Sequence, residues 1–279
     1  MTFSSDPDSK CPVCSSSRSV CFNATVLRRY DVPYLFCSVC GLLQASTPFW
    51  LQEAYQSAIA DADTGLLYRN YRFVRRIAPL LYWLNSPTSR FLDVAGGYGV
   101  FTRLMRDVGF NFFWSDPYCE NLFARGFGRE QAEPPFAAVT ALEVLEHVPD
   151  PLQFIRAALS ESECSTFIFS TVLFQGQPPP VDWWYYVFNT GQHISFYRLE
   201  TLQMIAESLS LYLYSARDLH MLSKRKISWL TYSAMTGRFS SLSFAYVRRK
   251  MRSRMMTDHE EILRSGNRTL STDEVKSFG

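Results

Sequence analysis

Residues 91–99 read Phe91-Leu-Asp-Val-Ala-Gly-Gly-Tyr-Gly99, and the amphipathic stretch Val100–Val108 follows at once. An apolar strand, a turn with little side chain to obstruct it and an immediate helix make the element in which backbone N–H groups at a helix N-terminus approach a ligand. Such a turn belongs in a parallel sheet flanked by helices, because each strand returns through a helix to lie beside its neighbour. A second segment, about one βαβαβ unit later, reads Thr140-Ala-Leu-Glu-Val-Leu-Glu-His-Val-Pro-Asp-Pro151. It is a strand edge ending in Glu143, Glu146 and His147, after which Asp150 and Pro151 suit an N-cap and the first position of a helix.

The rest of the chain keeps this alternation. Strands are expected over Phe91–Ala95, Phe112–Trp114, Phe136–Leu142 and Ser165–Leu173, with helices over Val100–Val108, Glu120–Arg125 and Pro151 to about Ser160. Leu199–Leu209 is a further helix, and Leu211–Ala216 with Leu219–Leu222, joined at Arg217-Asp218, form a closing antiparallel hairpin. The stretch from Gly126 to Pro135 is short for the strand that the pattern requires there. The expected fold class is α/β: a doubly wound Rossmann-like sheet with a C-terminal hairpin, preceded by a small zinc-ribbon-like module on the paired cysteines Cys11/Cys14 and Cys37/Cys40. Boundaries fall at 1–10 (a disordered N-terminus), 11–48 (the zinc-binding module), 49–85 (a helical lid or linker), 86–222 (the sheet domain) and 223–279 (a basic helical tail). Residues 50–84 read as two helices broken at Asp61–Gly65, the second with an apolar face of Leu66, Tyr71, Val74, Ile77 and Leu81.

The module rests on Cys11-Pro-Val-Cys14 and Cys37-Ser-Val-Cys40. Each pair sets two thiolates on one tight turn, and four thiolates suit a tetrahedral, coordinatively closed Zn²⁺, hence a structural one. A hairpin between Phe22 and Tyr34 separates the knuckles. Cys21, Cys119 and Cys164 lack such partners and read as core or incidental residues. Hydrophobic residues make up 47% of the 279 and the net charge is +2, which permits a substantial core and points to no particular charged partner.

Together and in this order, the two segments resemble the class I S-adenosylmethionine-dependent methyltransferases, most closely the branch of ubiquinone-biosynthesis O-methyltransferases. The resemblance implies that Asp93, Ala95, Gly96, Gly97 and Gly99 surround the methionine end of the cofactor, Asp93 near its amino group; the family usually has glycine where Ala95 stands. Asp116, at the end of the second strand, falls where a ribose-binding acid belongs; its other reading is a turn aspartate before Pro117. Glu143 joins the cofactor-binding set. A nicotinamide-binding turn needs a third glycine where Thr102 stands. Ser115-Asp-Pro-Tyr118 matches the base-methylating motif only superficially, with one proline and after the wrong strand.

In the ubiquinone-type enzymes a Glu-x-x-Glu-His set has been associated with a divalent metal, which makes Glu143, Glu146 and His147 a candidate second metal site. The alternative is that Glu146 and His147 only shape the loop. Gly191-Gln-His193-Ile-Ser-Phe-Tyr197 resembles the segment that supplies the catalytic histidine in sugar C-methyltransferases, which also carry an N-terminal cysteine module; Gln192 stands where they have Glu. His193 is therefore the first choice of general base, ahead of His147 and Glu146. Trp183, Trp184, Tyr185 and Tyr186, with Gln192, are candidate acceptor-binding residues, though consecutive strand residues face both ways and half of them would be core.

A sugar or nucleotide sugar is the favoured acceptor. The alternatives are a phenolic or polyketide-like small molecule, or a non-catalytic module that binds the cofactor or docks on nucleic acid or protein; nucleic acid is disfavoured. Between Leu219 and Thr257 nine Lys or Arg and no Asp or Glu occur. This stretch reads first as a solvated helical tail and second as a basic surface for phosphates or an anionic membrane. No apolar run reaches the roughly 20 residues of a membrane span, and the N-terminus has no basic region followed by an apolar one, so a cytoplasmic location is expected.

Overall fold

A computed structural model describes residues 10–55 and 63–274, with side chains described as far as Arg264. Expectations for residues 1–9, for 56–60 of the first expected helix, for 61 and 62 of the break and for 275–279 lie outside the described residues.

The chain opens with a hairpin of β1 (Ser19–Val26) and β2 (Tyr30–Phe36), followed by β3 (Leu43–Ala45). A one-turn helix α1 (Leu51–Ala54) and a long α2 (Leu66–Leu84) lead into the sheet domain. There β4 (Arg90–Val94), α3 (Val100–Val108), β5 (Asn111–Ser115), β6 (Ala138–Ala141), α4 (Pro151–Glu161) and β7 (Thr166–Ser170) alternate. A two-residue strand β8 (Ser195–Phe196), α5 (Leu199–Ser208) and the hairpin β9 (Tyr212–Ala216) and β10 (Leu219–Ser223) follow; α6 (Trp229–Thr236), α7 (Ser240–Lys250) and α8 (Met255–Glu274) end the chain.

Six strands form one sheet in the order β5-β4-β6-β7-β10-β9. β5, β4, β6 and β7 are mutually parallel, and β10 inserts antiparallel between β7 and β9. The central strands are apolar on both faces because helices cover both. One face packs on α2, α3, α6 and α7 through Phe73, Ile77, Met105, Tyr232 and Val247; the other packs on α4 and α5 through Ile155, Leu202 and Ile205. Asp150 caps α4, its Oδ1 accepting the Gln153 N–H at 2.9 Å with Pro151 at the first helical position.

Several local expectations change. Beyond β5 the missing strand is reduced to one parallel bridge, Trp114 to Gly128. Glu120–Arg125 is not helical: the Asn121 side chain accepts the Ala124 N–H and donates to the Ala124 carbonyl, so a side-chain turn replaces the helical bonds. Tyr71 of α2 is exposed, and Phe73, Ala78 and Leu80 take its place in the buried face. The basic C-terminal segment is not a solvated tail. Tyr232, Phe244, Val247 and Asp258 are buried, and Arg106 of α3 holds Asp258 through two hydrogen bonds.

The cysteine module is stitched to the sheet domain. β8 completes its antiparallel sheet in the order β1-β2-β3-β8, Thr201 Oγ1 donates to the Cys40 carbonyl, and Trp50 Nε1 donates to the Gly191 carbonyl.

Candidate active site

At the C-terminal end of β4 the chain turns through Ala95 and Gly97, both at positive φ (51° and 55°), before α3 begins. A Cβ on Gly97 would meet nothing within 4 Å, so the loop borders an open cradle, whereas a Cβ on Gly96 would come within 2.8 Å of Asp93 and Trp114. Gly96 is required by packing and Gly97 by its backbone angle and the cradle. Asp93 is buried beneath the loop, accepting from Thr140 Oγ1 at 2.7 Å and Thr102 Oγ1 at 3.2 Å. Burial outweighs those bonds and raises its carboxyl to about 7.

Asp116, just past β5, braces the loop from the other side. Its Oδ2 accepts the Gly97 N–H at 2.8 Å and its Oδ1 accepts the N–H groups of Tyr118 and Cys119. An ionised carboxylate has about four acceptor sites, so capacity remains for a ribose hydroxyl beside these three bonds. Trp114, which the sequence reading did not single out, adds a bond from Nε1 to the Gly97 carbonyl at 2.8 Å.

The ends of β6 and β7 carry the titratable cluster. Glu146 is fully buried; Tyr185 Oη donates to its Oε1 at 2.7 Å, while Oε2 has no hydrogen-bond partner among the described residues. Burial, with Glu143 nearby, raises the Glu146 carboxyl to about 8. The His147 and His193 rings meet edge to face with centroids 4.9 Å apart. His193 Nδ1 lies 2.7 Å from the Tyr185 carbonyl, so the neutral ring donates there and leaves Nε2 as an acceptor. His147 Nδ1 is buried without a hydrogen-bond partner among the described residues. Desolvation lowers His147 to about 3 and His193 to about 4, so both are neutral at ordinary pH.

Ligand atoms of Glu146, His147 and His193 all lie within 4.8 Å of one another. Glu143, which the sequence grouped with Glu146 and His147, is engaged elsewhere. Ser170 Oγ donates to its Oε1 at 2.6 Å, and Arg69 of α2 lies 3.3 Å from its Oε2. Arg69 was legible only as part of the series Arg69, Arg72, Arg76 on one side of α2. Tyr55, stacked on Tyr118 with centroids 5.4 Å apart and 6.1 Å from the His147 ring, carried no sequence signal.

The aromatic run divides. Trp184–Tyr186 is a 3₁₀ turn rather than a strand. Trp184 is 71% exposed, and Tyr186 is core, packed on Tyr34, Phe188 and Phe196 of the cysteine module's side. Trp183 is half-buried against Tyr185 and Phe196. Only Tyr185 joins the cluster, through both its hydroxyl and its carbonyl. Gln192 is buried and donates to the Ala54 carbonyl.

In the module the Sγ atoms of Cys11 and Cys40 lie 3.5 Å apart, as do those of Cys14 and Cys37, and all four sulfurs lie within 4.8 Å of one another. Tetrahedral Zn–S bonds near 2.3 Å separate sulfurs by about 3.8 Å, so the set fits Zn²⁺. The module also supports the cluster. Gln44 of β3 donates to the Pro149 carbonyl and to Ser195 Oγ, and Ser195 Oγ donates to the Val148 carbonyl. The Ile194 N–H donates to the Glu146 carbonyl at 2.7 Å.

A sequence profile described as a methyltransferase domain matches residues 66–216, more than half of the chain. The chain belongs to the methyltransferase-domain family. Its parallel sheet with the inserted antiparallel strand is the Rossmann-like fold of class I S-adenosylmethionine-dependent methyltransferases, and the protein is such an enzyme. No curated protein sequence matches it. Among solved structures, magnesium protoporphyrin IX methyltransferase from Synechocystis PCC 6803 with bound S-adenosylmethionine is 13% identical, with 64% of this chain and 93% of that one covered and a TM-score of 0.39. An O-methyltransferase family 2 protein from Planctomyces limnophilus in complex with apigenin is 17% identical, with 63% and 65% covered and a TM-score of 0.41. At these scores neither likeness bears on the acceptor. Among the described residues no helix is long and apolar enough to cross a membrane.

Proposed function

We propose that the methyltransferase acts on an oxygen or carbon of a small acceptor, a sugar or nucleotide sugar, with His193 as general base. The observation that carries this reading is the His193 Nδ1 bond to the Tyr185 carbonyl, which leaves Nε2 as the acceptor in a cluster with Glu146 Oε2 and His147 Nδ1, both without a hydrogen-bond partner among the described residues. S-Adenosylmethionine supplies an electrophilic methyl on a sulfonium, and Gly96, Gly97, Gly99 and Asp116 would hold it at the head of β4 and β5. His193, neutral because burial disfavours its charged form, takes the acceptor's proton as the new bond to methyl forms. His147 and Glu146 flank it. The fixed positions of these groups supply much of the rate by holding the acceptor in line. Zn²⁺ on the four cysteines would be structural, keeping β3 and β8 under the histidine segment.

The test is methyl transfer from labelled S-adenosylmethionine across a panel of nucleotide sugars and phenolic acceptors, with cofactor binding measured on the same samples. His193→Ala should bind cofactor normally and lose about 10²–10⁴-fold in turnover. Turnover unchanged in His193→Ala overturns the assignment, and turnover on phenolic acceptors alone overturns the sugar.

A second reading rests on the same free atoms. Glu146, His147 and His193 form a two-histidine, one-carboxylate set, with Glu146 and His193 oriented by outer bonds as metal ligands are. A divalent ion there would lower the pKa of an acceptor hydroxyl. Titration with Mn²⁺, followed by its electron paramagnetic resonance, decides: a second equivalent lost in His193→Ala supports the metal, and no uptake rejects it.

A further inference from the structure

The face of α2 that reaches the candidate site continues away from it as a row of guanidiniums. Arg69 contacts Glu143, and Arg72 and Arg76, further along the helix, both bind Asp218 in the β9–β10 turn. Where α2, this turn and the α6–α7 junction meet, a recess of about 290 Å³ is lined by Arg72, Arg75, Arg76, Arg217 and Arg238, with Asp218 as its one carboxylate among the described residues. Asp218 is already shared by two of these arginines. Among the described residues Arg75 meets the neutral Ser241 hydroxyl and the Tyr71 ring alone. Arg217 and Arg238 have no hydrogen-bond or ion-pair partner among the described residues.

Like charges gathered this way repel one another and favour a ligand that brings negative charge. Planar guanidiniums match the oxygen geometry of phosphate in particular. Arg217 also holds φ at 59° in a two-residue hairpin turn where glycine or asparagine is easier to accommodate. Tyr68 and Tyr71, both exposed, form the recess's aromatic side, so a flat ring attached to the phosphate has faces to stack on.

The recess adjoins a larger cavity of about 710 Å³, and the two share Arg217 and Asp218. The wall of the larger cavity includes Val172, whose N–H donates to Tyr185 Oη, the same hydroxyl that donates to Glu146. Along α2, Arg69 and Arg76 are seven residues apart, about 10 Å at the helical rise. Arg76 in the recess therefore lies about 10 Å along the helix axis from the contact of Arg69 with Glu143.

We propose that this arginine recess binds a phosphate or diphosphate group, and that the acceptor of the methyl group is a phosphate-bearing molecule anchored there. The second half rests on the methyl-transfer reading above; the first does not. A soluble nucleotide and a lipid phosphate headgroup share this chemistry, and the test separates them.

The full chain would be titrated by calorimetry with inorganic pyrophosphate, with uridine diphosphate and, separately, with phosphatidylcholine vesicles containing phosphatidic acid. Arg217→Ala/Arg238→Ala is the matched variant, because neither side chain holds the fold. S-Adenosylmethionine binding is measured in parallel on every sample. The expected result is saturable binding of pyrophosphate or uridine diphosphate that weakens at least about tenfold in the double variant, with cofactor affinity unchanged. Binding to the vesicles alone, lost in the double variant, assigns the phosphate to a lipid. No binding of any probe, or binding that the double variant leaves unchanged, overturns the proposal. Loss of cofactor binding by the intact protein would strike the methyl-transfer reading and leave the arginine recess to be judged on its own probes.

Discussion

Replacing Asp258 by alanine tests how the C-terminal segment is held to the sheet domain. Arg106 and Asp258 are each only 1% exposed and are joined by two hydrogen bonds, Nε to Oδ2 at 2.8 Å and Nη2 to Oδ1 at 2.6 Å. Arg106 also donates from Nη1 to Asn111 Oδ1 and the Phe112 carbonyl, and its guanidinium centre lies 3.5 Å from the centre of the Phe127 ring. Arg103 and Arg254 converge on the same carboxylate at 3.0 and 3.5 Å. Asp258→Ala would leave a guanidinium buried with hydrogen bonds but without its counter-charge. Breaking a buried pair in this way costs about 3–5 kcal/mol, a large part of the 5–15 kcal/mol that holds a typical domain folded. Urea unfolding followed by fluorescence should show the midpoint fall with little change in slope, and Tm should drop by about 10 °C. The double replacement Arg106→Met/Asp258→Leu removes both charges and should recover most of the loss, because the desolvation of two ions disappears with their attraction. A loss below about 1 kcal/mol in Asp258→Ala, the range of an exposed pair, would refute the buried clamp.

Ala95→Gly should stabilise the protein by about 0.5–1 kcal/mol, since a left-handed alanine costs roughly 1–2 kcal/mol and glycine returns part of that as chain entropy; a lower urea midpoint would contradict the strain seen at φ 51°. The buried histidines predict acid sensitivity. His220, bonded to Thr171 and Ser215, is held down to about 4 by burial, as is His193, with His147 at about 3. Each binds its proton more readily when unfolded, near pH 6.5, so stability is full above that pH and declines as pH falls towards 4. His220→Gln should flatten that decline by up to about 3 kcal/mol at pH 4, and an unchanged pH profile of the urea midpoint would show that the ring is not buried neutral. Gln44→Ala, which cuts the link from the cysteine module to Pro149 and Ser195, should lower turnover while cofactor affinity, measured by calorimetry, stays within about twofold; equal loss of both would place the module's influence elsewhere.

The order of strands and helices, the glycine turn, the Asp150 cap and the paired cysteines were all legible in the linear chain. Each depends on residues within a few positions of one another: the period of apolar side chains, a missing Cβ, a hydrogen bond three residues along. Glu120–Arg125 shows the limit even at short range, because its helical composition gave way to the turn closed by the Asn121 side chain. His193, His147 and Glu146 were nominated from the sequence, but tertiary structure decided which titratable groups meet and which are drawn off. Glu143 is three residues from Glu146, yet Arg69 and Ser170 take it away, while His193, far along the chain, is brought against His147 by β8 pairing with β3. The same holds for the arginines. Arg72, Arg75 and Arg76 lie on one helix, but Arg217 and Arg238 join them only because α2 packs beneath the β9–β10 turn and the α6–α7 junction. Charge and desolvation act through space, over a few ångströms, and a sequence records neighbours along the chain rather than across it.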